Sequence, residues 1–392
     1  MNRVFLGLSF VFAVGSHSAD DAKLKDVYIA AAESFTELTN QNLALAQNLR
    51  LAMKMAIDDY APRLANSGYR VRVKEFDFDR EDVSVLIKTR EIVASDVVGV
   101  VGYNTSNRAL LAAPIVQKAG LPMISASATA TRISDFKEFV HTASVSNLSF
   151  ARTLAQAARR NWKAKKAISI AAVDCSYCTD LTEMFKDEFF SLGGKTLDVI
   201  PVLSSQTDFK GLVSQLKSLD FDVVLNPNHK ILASRLISAI GKAGINKPYL
   251  LADGWGSLPE TIFFKIVGDV SFVGFAVDHW HPEVKGAKSS NFSRLFKKIS
   301  SREPDTLSAL WYDSTAVLLE ALLVAKKPSR IEVEKALSAM KTFQGVTGNF
   351  DYSNGGAPLK STVLLQANGR KYSFDSEVPA AQDVPQKMGA RP

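Results

Sequence analysis

The chain has 392 residues, of which 46% are hydrophobic and 22% are charged. This composition is typical of a globular protein that is long enough for two domains, each with its own core. The formal net charge of +7 is modest for this length, and no basic block is interleaved with aromatic residues that could stack on bases. Composition and charge therefore argue against a nucleic-acid partner.

The N-terminus has the features of a secretory signal peptide over residues 1–19. Arg3 supplies the positive charge, residues 4–14 form a short apolar run, and the segment GSHSA offers small residues for cleavage near Ala19. The run is too short to cross a bilayer as a helix, and no cysteine follows it that could carry a lipoprotein anchor. We therefore expect the mature chain to be exported.

Beyond the signal peptide, short apolar strands alternate with amphipathic helices. Strands are predicted in DVYIAAAE, YRVRVKEFDFD, VVGVVG and LPMIS, and the helices among them cover Ala44–Tyr60, Glu81–Ala94 and Arg108–Lys118. The same alternation runs from Phe150 to Val277. Strands separated by helices of about 10–15 residues indicate βαβ units in parallel sheets. We predict an α/β protein with two Rossmann-like lobes, each built on its own parallel sheet.

The last part of the chain departs from this alternation. Three helices are predicted over Phe292–Ser301, Ser308–Ala325 and Glu332–Thr342. They are followed by a strand–turn–strand that is formed by TGNFDYSNGG with STVLLQANGRKYSF. Residues 376–392 have no periodicity and are predicted to be a disordered tail.

Two loops rich in hydroxyl groups follow neighbouring strands of the first predicted lobe. The strand VVGVVG ends in GYNTSN, and the strand LPMIS ends in SASATAT; ligands of open parallel sheets bind at such carboxyl ends. Helices that start near Ser106 and in the region after Thr129 would aim free N–H groups into one cleft and favour an anion. P-loop, GxGxxG and GxSxG motifs are absent from the sequence. The residues by themselves leave a ligand grip and plain capped turns equally open.

The two cysteines, Cys175 and Cys178, form a CxxC motif in DCSYC. In an oxidising compartment this spacing suits a local disulfide, two inert thiols or a redox pair. A zinc site would need two further ligands, and the five histidines have no paired metal spacing near the motif. Thr179 follows the motif in place of the histidine that a c-type haem requires. We favour a loop disulfide or inert thiols.

An ordered series of segments resembles the type I periplasmic solute-binding proteins of ABC transporters, in the branched-chain amino acid (Leu/Ile/Val-binding) group. The segments are AMKMAIDDY, VVGVVGYNTSNRALLAAPIVQKAGLPMISASATAT, AAVDCSYCTDLTEMFKDEF, FDVVLNPNHKILASRLISAIGKAGI, PYLLADGW, LWYDSTAVLLEAL and TGNFDYSNGG. The resemblance covers about residues 25–375 and implies two α/β lobes that are joined by a three-segment hinge and close on a ligand. It places lobe 1 at 24–142 plus 279–358 and lobe 2 at 143–278 plus 359–375.

The resemblance also implies a set of ligand-binding residues. On one lobe, Ser106, Ser127 and Thr129 match the family's grip on the ligand carboxylate. On the other lobe, Tyr177 would pack over the ligand, and Asp253 would receive the ammonium group of an amino acid. The alternatives are helix capping for the serine and threonine positions, an exposed loop aromatic for Tyr177, and a turn residue in ADGWG for Asp253.

The chain departs from the family pattern at places that bear on the ligand. Cys178 and Thr179 follow Tyr177 where the family often has a Y-G-x-G turn. The first loop, ESFTELTNQN, lacks the glycine-rich form that the family leads us to expect. These departures leave open an aliphatic or aromatic amino acid, an amide such as urea, or a carboxylate that lacks an amine.

The resemblance implies a non-enzymatic, monomeric binding protein with no cofactor and no metal. Such a protein captures a small polar ligand, most simply an amino acid, between its lobes and delivers it to the permease of an ABC transporter. One alternative is a sensor that presents its closed form to a signalling receptor. Another is a periplasmic disulfide enzyme that uses Cys175 and Cys178, because a thiolate is stabilised at a strand-to-helix junction.

Overall fold

Two large sheets organise the chain, as seen in a computed structural model that describes residues 24–37, 43–79, 81–136, 138–253, 260–353, 355–369 and 371–380. The predicted signal peptide and residues 381–392 of the predicted tail lie outside these ranges.

The first sheet has five parallel strands in the order β2-β1-β3-β4-β5. Its strands are β1 (Lys25–Glu33), β2 (Tyr69–Asp77), β3 (Val100–Gly102), β4 (Met123–Ser125) and β5 (Val140–Thr142). The segments between them form α1 (Leu43–Asn66), α2 (Asp82–Ala94), α3 (Ser106–Lys118) and a 3-10 helix over Thr131–Asp135. Strands β3 and β4 are buried at every residue, as expected for a parallel sheet that is covered on both faces. The predicted parallel sheet is confirmed.

The second sheet has seven strands in the order β14-β13-β10-β9-β8-β6-β7. Its parallel strands are β6 (Lys166–Ala172), β7 (Lys195–Val202), β8 (Val223–Asn226), β9 (Tyr249–Leu251) and β10 (Phe272–Asp278). The helices of this region are α4 (Asn147–Trp162), α5 (Ser176–Ser191), α6 (Lys210–Lys217), α7 (Lys230–Lys242) and α8 (Glu260–Val267). An antiparallel pair, β13 (Thr362–Gly369) and β14 (Lys371–Val378), completes the edge beside β10. The predicted parallel strands are confirmed for the second sheet as well, and the C-terminal pair adds an antiparallel edge to it.

The chain passes between the two sheets three times. The first passage, residues 143–146, joins β5 to α4, which packs on β10 and β13. The second, residues 279–286, joins β10 to a group of elements that pack around α1 and the first sheet. These elements are α9 (Ala287–Ser300), α10 (Thr306–Val324), α11 (Arg330–Ala339), β11 (Thr342–Gly345) and β12 (Gly348–Asp351). The third passage returns the chain to β13, so that two lobes are joined by three crossovers.

Two details of the C-terminal part differ from the predictions. TGNFDYSNGG supplies β12, which pairs with β11 and not with STVLLQANGRKYSF. The latter segment folds on itself, because Gly369, with a φ of 69°, supplies the left-handed conformation that a tight hairpin turn needs. Strand β14 then runs to Val378, past the predicted end of lobe 2 at residue 375, because its last residues still pair with β13.

Helix α10 has the length and hydropathy of a membrane-crossing helix, yet 72% of the relevant window is buried inside the protein. It contacts α1, β3 and β4. Burial in the core of the first lobe accounts for its apolar composition.

Candidate functional site

The two hydroxyl-rich loops lie side by side at the carboxyl edge of the first sheet. Strand β3 ends at Gly102, which has a φ of 146° and where a Cβ would lie 2.0 Å from the carbonyl oxygen of Ala32. Helix α3 begins at Ser106, as predicted. The Oγ of Ser106 accepts the N–H groups of Thr129 (3.3 Å) and Ala130 (3.1 Å) and so ties the second loop to the first.

This edge is also where the strand order of the first sheet reverses. Strands β1 and β3 are neighbours, although the chain passes through β2 between them, and open α/β sheets bind ligands at such a switch point. At the end of β1, the buried Glu33 accepts the N–H of Asn104 (2.8 Å) and a hydrogen bond from Arg108 Nη1 (2.6 Å). The carboxylate of Glu33 therefore orients the loop that follows β3.

Ser127 and Thr129 lie in the second loop with different surroundings. The Oγ of Ser127 donates to the carbonyl of Asn104 (2.8 Å), so this hydroxyl joins the two loops. The Oγ1 of Thr129 is buried and has no hydrogen-bond partner among the residues that the structure describes. Leaving a buried hydroxyl unpaired costs about 1–3 kcal/mol. Thr129 therefore has an unused donor at this edge of the sheet.

The second loop does not present the free helical N–H groups that the sequence predicted. The N–H groups of Thr129 and Ala130 are taken by Ser106, and the N–H of Thr131 donates to Asp180 Oδ2 on the other lobe (3.0 Å). The prediction was wrong because side chains distant in sequence reach these donors first. In this half of the site, the first turn of α3 is therefore the helix N-terminus that can offer N–H groups to a ligand.

Tyr177 and Asp253 lie together at the carboxyl edge of the second sheet. Tyr177 stands in the first turn of α5, is 4% exposed, and donates its hydroxyl to Asp253 Oδ1. The same hydroxyl oxygen accepts the N–H of Asp253 (3.0 Å). Burial and the neighbouring carboxylate raise the pKa of Tyr177 well above its usual value. The alternative of an exposed loop aromatic is therefore wrong for Tyr177.

His279 completes this cluster, and the sequence analysis did not select it. Its Nε2 lies 3.0 Å from Asp253 Oδ2, and its Nδ1 accepts the N–H of Val145 at 3.4 Å. Because Nδ1 accepts, the ring carries its proton on Nε2 and donates it to Asp253. Burial lowers the pKa of His279. Burial alone would raise the pKa of Asp253, but hydrogen bonds from His279 and Tyr177 hold it below its usual value.

One further residue connects the two halves of the site. Asn147, the first residue of α4, donates its N–H to the carbonyl of Thr129 (2.8 Å) and its Nδ2 to the carbonyl of Tyr177 (3.1 Å). Ser106, Thr129, Tyr177 and Asp253 are thus linked through hydrogen bonds into a single set, whereas Ser127 bonds only to the neighbouring Asn104. The signal that could have selected Glu33 and His279 is their position, since each directly ends or follows a buried strand.

The CxxC motif lies inside the same cluster. Cys175 and Cys178 are joined by a disulfide, and Cys175 Sγ accepts the N–H of Cys178 (3.2 Å) as the N-cap of α5. The two residues are 4% and 0% exposed. The disulfide encloses Tyr177 and restrains it at the start of the helix. The described residues contain no group of three or more His, Cys, Asp or Glu that could hold a metal ion.

Fold and site together define a two-lobed binding protein in which polar side chains of both lobes meet at the carboxyl edges of the two sheets. The chain belongs to the periplasmic binding protein family, whose model matches residues 27–371. It is 25% identical over 318 residues to the Leu/Ile/Val-binding protein homolog 7 of Brucella suis, covering 75% of this chain and 78% of that protein.

Solved structures of the same fold bind different ligands. The leucine-binding protein LivK of Thermotoga maritima has a TM-score of 0.81 at 20% identity and covers 90% of this chain and 99% of its own. A solute-binding protein of Rhodopseudomonas palustris in complex with benzoate has a TM-score of 0.75 at 17% identity and covers 92% of this chain and 98% of its own. At these identities the structures establish the fold alone, which is that of the type I periplasmic binding proteins.

Proposed function

We propose that this protein captures a small carboxylate-bearing ligand, in the first instance an amino acid, and delivers it to the permease of an ABC transporter. The family and the relative named for Leu, Ile and Val support this proposal. The proposed ligand-binding residues are Ser106, Ser127, Thr129, Tyr177 and Asp253.

The observation that carries the proposal is the unpaired, buried hydroxyl of Thr129, connected through Asn147 and Tyr177 to the carboxylate of Asp253. A zwitterion needs donors for its carboxylate and an acceptor for its ammonium group. Thr129 and the first turn of α3 provide donors, and Asp253 provides the acceptor. The two requirements are met on opposite lobes.

This division between the lobes couples binding to closure. A ligand that contacts both lobes binds the closed form better than the open one and shifts the hinge equilibrium toward closure. Closing the cleft also removes water, which strengthens both charged contacts. The closed form with ligand bound is then the form that the permease recognises.

A second ligand class is favoured by the surroundings of Asp253. Both of its carboxylate oxygens already accept hydrogen bonds, one from Tyr177 and one from His279. A carboxylate that lacks an amine, such as benzoate, would leave these bonds intact and would use only the donors of the first lobe. An amino acid would instead share the remaining lone pairs of Asp253.

Thermal-shift measurements on the mature protein, unfolded and refolded to remove copurified ligand, test both classes. The ligands are L-leucine, L-phenylalanine, urea and benzoate. A ligand at a hundredfold excess over its Kd adds about 2.7 kcal/mol of stability. We expect Thr129→Val to abolish the shift for any carboxylate, whereas Asp253→Ala abolishes it only for an amino acid. A shift that survives both substitutions contradicts the proposed site.

The burial of Cys175 and Cys178 supports a structural disulfide over a redox enzyme. Redox-active CxxC motifs keep a partially exposed, reactive thiolate, and Cys178 is fully buried. Export remains part of the proposal, and mass spectrometry of the secreted chain checks cleavage near Ala19.

A further inference from the structure

Two side chains outside the proposed ligand-binding set hydrogen-bond directly from one lobe to the other. Asn107 of α3 accepts the N–H of Ser176 at Oδ1 (2.9 Å) and donates Nδ2 to the carbonyl of Asp174 (3.2 Å). Asp180 of α5 accepts the N–H (3.0 Å) and the hydroxyl (2.5 Å) of Thr131. Side chains of each lobe therefore bind the backbone of the other.

Both contacts supply a hydrogen-bond acceptor for an N–H group at the start of a helix on the opposite lobe. Ser176 is the first residue of α5, and its N–H has no carbonyl within the helix to bond. Asn107 supplies that acceptor. Thr131 opens the 3-10 helix of the first lobe, and Asp180 supplies its acceptor in return. Because Ser176 and Asp180 are four residues apart, they lie on one face of α5, and this face meets the first lobe.

Asp180 is oriented by its own lobe before it reaches the other. Asn147 Nδ2 donates to Asp180 Oδ2 at 2.7 Å, and both residues belong to helices that follow the first crossover. Asp180 is 9% exposed, and its carboxylate accepts three hydrogen bonds from the residues that the structure describes. Hydrogen bonds to a carboxylate are the stronger class, so this contact favours closure more than a neutral pair would.

We propose that Asn107 and Asp180 are positioning residues that hold the two lobes closed before any ligand bridges the cleft. They set the distance between Thr129 on one lobe and Tyr177 on the other without contacting the ligand. A closed form that is populated beforehand raises the apparent affinity, because the intrinsic Kd is divided by the fraction of competent molecules. The inference does not depend on which ligand the cleft takes.

Small-angle X-ray scattering of the mature, refolded, ligand-free protein tests the proposal directly. The parent is compared with Asn107→Ala, Asp180→Ala and the double variant. Loss of a hydrogen bond to the Asp180 carboxylate shifts the ratio of closed to open molecules about tenfold, and loss of a neutral Asn107 hydrogen bond shifts it about fivefold. We expect the parent to scatter as the closed structure and both single variants to have a larger radius of gyration.

A matched control separates closure from stability. Asp222 accepts the N–H groups of Lys165 (2.7 Å) and Lys166 (2.8 Å) within the second lobe. Asp222→Ala should therefore lower the melting temperature without changing the radius of gyration. If Asp180→Ala does not fold, Asp180→Asn, which keeps one acceptor oxygen, replaces it and should open partially.

Two results would overturn the proposal. One is a ligand-free parent that already scatters as an open molecule. The other is a set of folded variants that stay as compact as the Asp222→Ala control. Neither result bears on whether the cleft binds a carboxylate, because no ligand is present in this experiment.

Discussion

Replacing Thr129 by valine should move stability and binding in opposite directions. Valine has nearly the same shape as threonine but lacks the hydroxyl, which in Thr129 is buried without a partner. Removing an unsatisfied buried hydroxyl recovers part of a desolvation penalty of about 1–3 kcal/mol. We expect Thr129→Val to stabilise the ligand-free protein by about 1 kcal/mol and to abolish stabilisation by a carboxylate ligand.

A buried threonine with satisfied hydrogen bonds provides the control. Thr153 Oγ1 donates to the carbonyl of Ser149 (3.0 Å) and lies 2.8 Å from Thr362 Oγ1. Thr153→Val should therefore destabilise the protein by about 1 kcal/mol, because it leaves polar partners unpaired. Thr129→Ser, which keeps the hydroxyl, should retain binding.

The assay is urea unfolding together with thermal unfolding of refolded, ligand-free protein. A change of about 1 kcal/mol moves the melting temperature of lobes of this size by roughly 2–4 °C, which is measurable. If Thr129→Val destabilises the protein as much as Thr153→Val does, the hydroxyl of Thr129 has a partner. The reasoning that assigns it to the ligand would then fail.

Three further predictions concern the second lobe. Asp253→Ala should remove the thermal shift produced by an amino acid and leave the ligand-free fold intact, and a retained shift would mean that no ammonium group binds there. The double substitution Cys175→Ser and Cys178→Ser should lower the free energy of unfolding in urea by about 2 kcal/mol, because the unfolded chain regains the conformational entropy that closing a four-residue loop removes. Disulfide reductase activity in the parent would contradict a purely structural disulfide. Burial raises the pKa of Asp278 to about 7, so between about pH 4 and pH 7 the folded state holds a proton that the unfolded state releases. Stability should fall as the pH rises through this window, and Asp278→Asn should reduce the fall in the urea midpoint; an unchanged slope would show that Asp278 is ionised throughout.

The strand and helix pattern of this protein was readable from periodicity, and so was the position of the two hydroxyl-rich loops. The loops after β3 and β4 are close in sequence, and consecutive parallel strands bring such loops to the same edge. Ser106 and Thr129 therefore meet as predicted, with an N–H to Oγ distance of 3.3 Å.

Tyr177 and Asp253 were selected by the family resemblance, whereas their hydrogen bonds with each other and with His279 are seen only in the structure. Tyr177 and Asp253 are 76 residues apart, and their hydrogen bond forms because β6 and β9 end at the same edge of the second sheet. His279 reaches Asp253 only because β10 lies beside β9. A local sequence pattern cannot indicate such a residue, because its hydrogen-bond partner depends on which strands are neighbours in the sheet.

Apolar periodicity and loop composition thus sufficed for the α/β class of fold and for the position of the hydroxyl-rich loops, whereas the kind of ligand was implied only by the family resemblance. Tertiary structure alone decided which of those polar groups remain available. Asp180 occupies the N–H of Thr131 from the other lobe, while the hydroxyl of Thr129 stays unpaired. The periodicity of apolar residues follows from burial along a single helix or strand, so the sequence displays it. Whether an N–H donor is paired depends on a side chain of the other lobe, and only the three crossovers bring the two within 3 Å of each other.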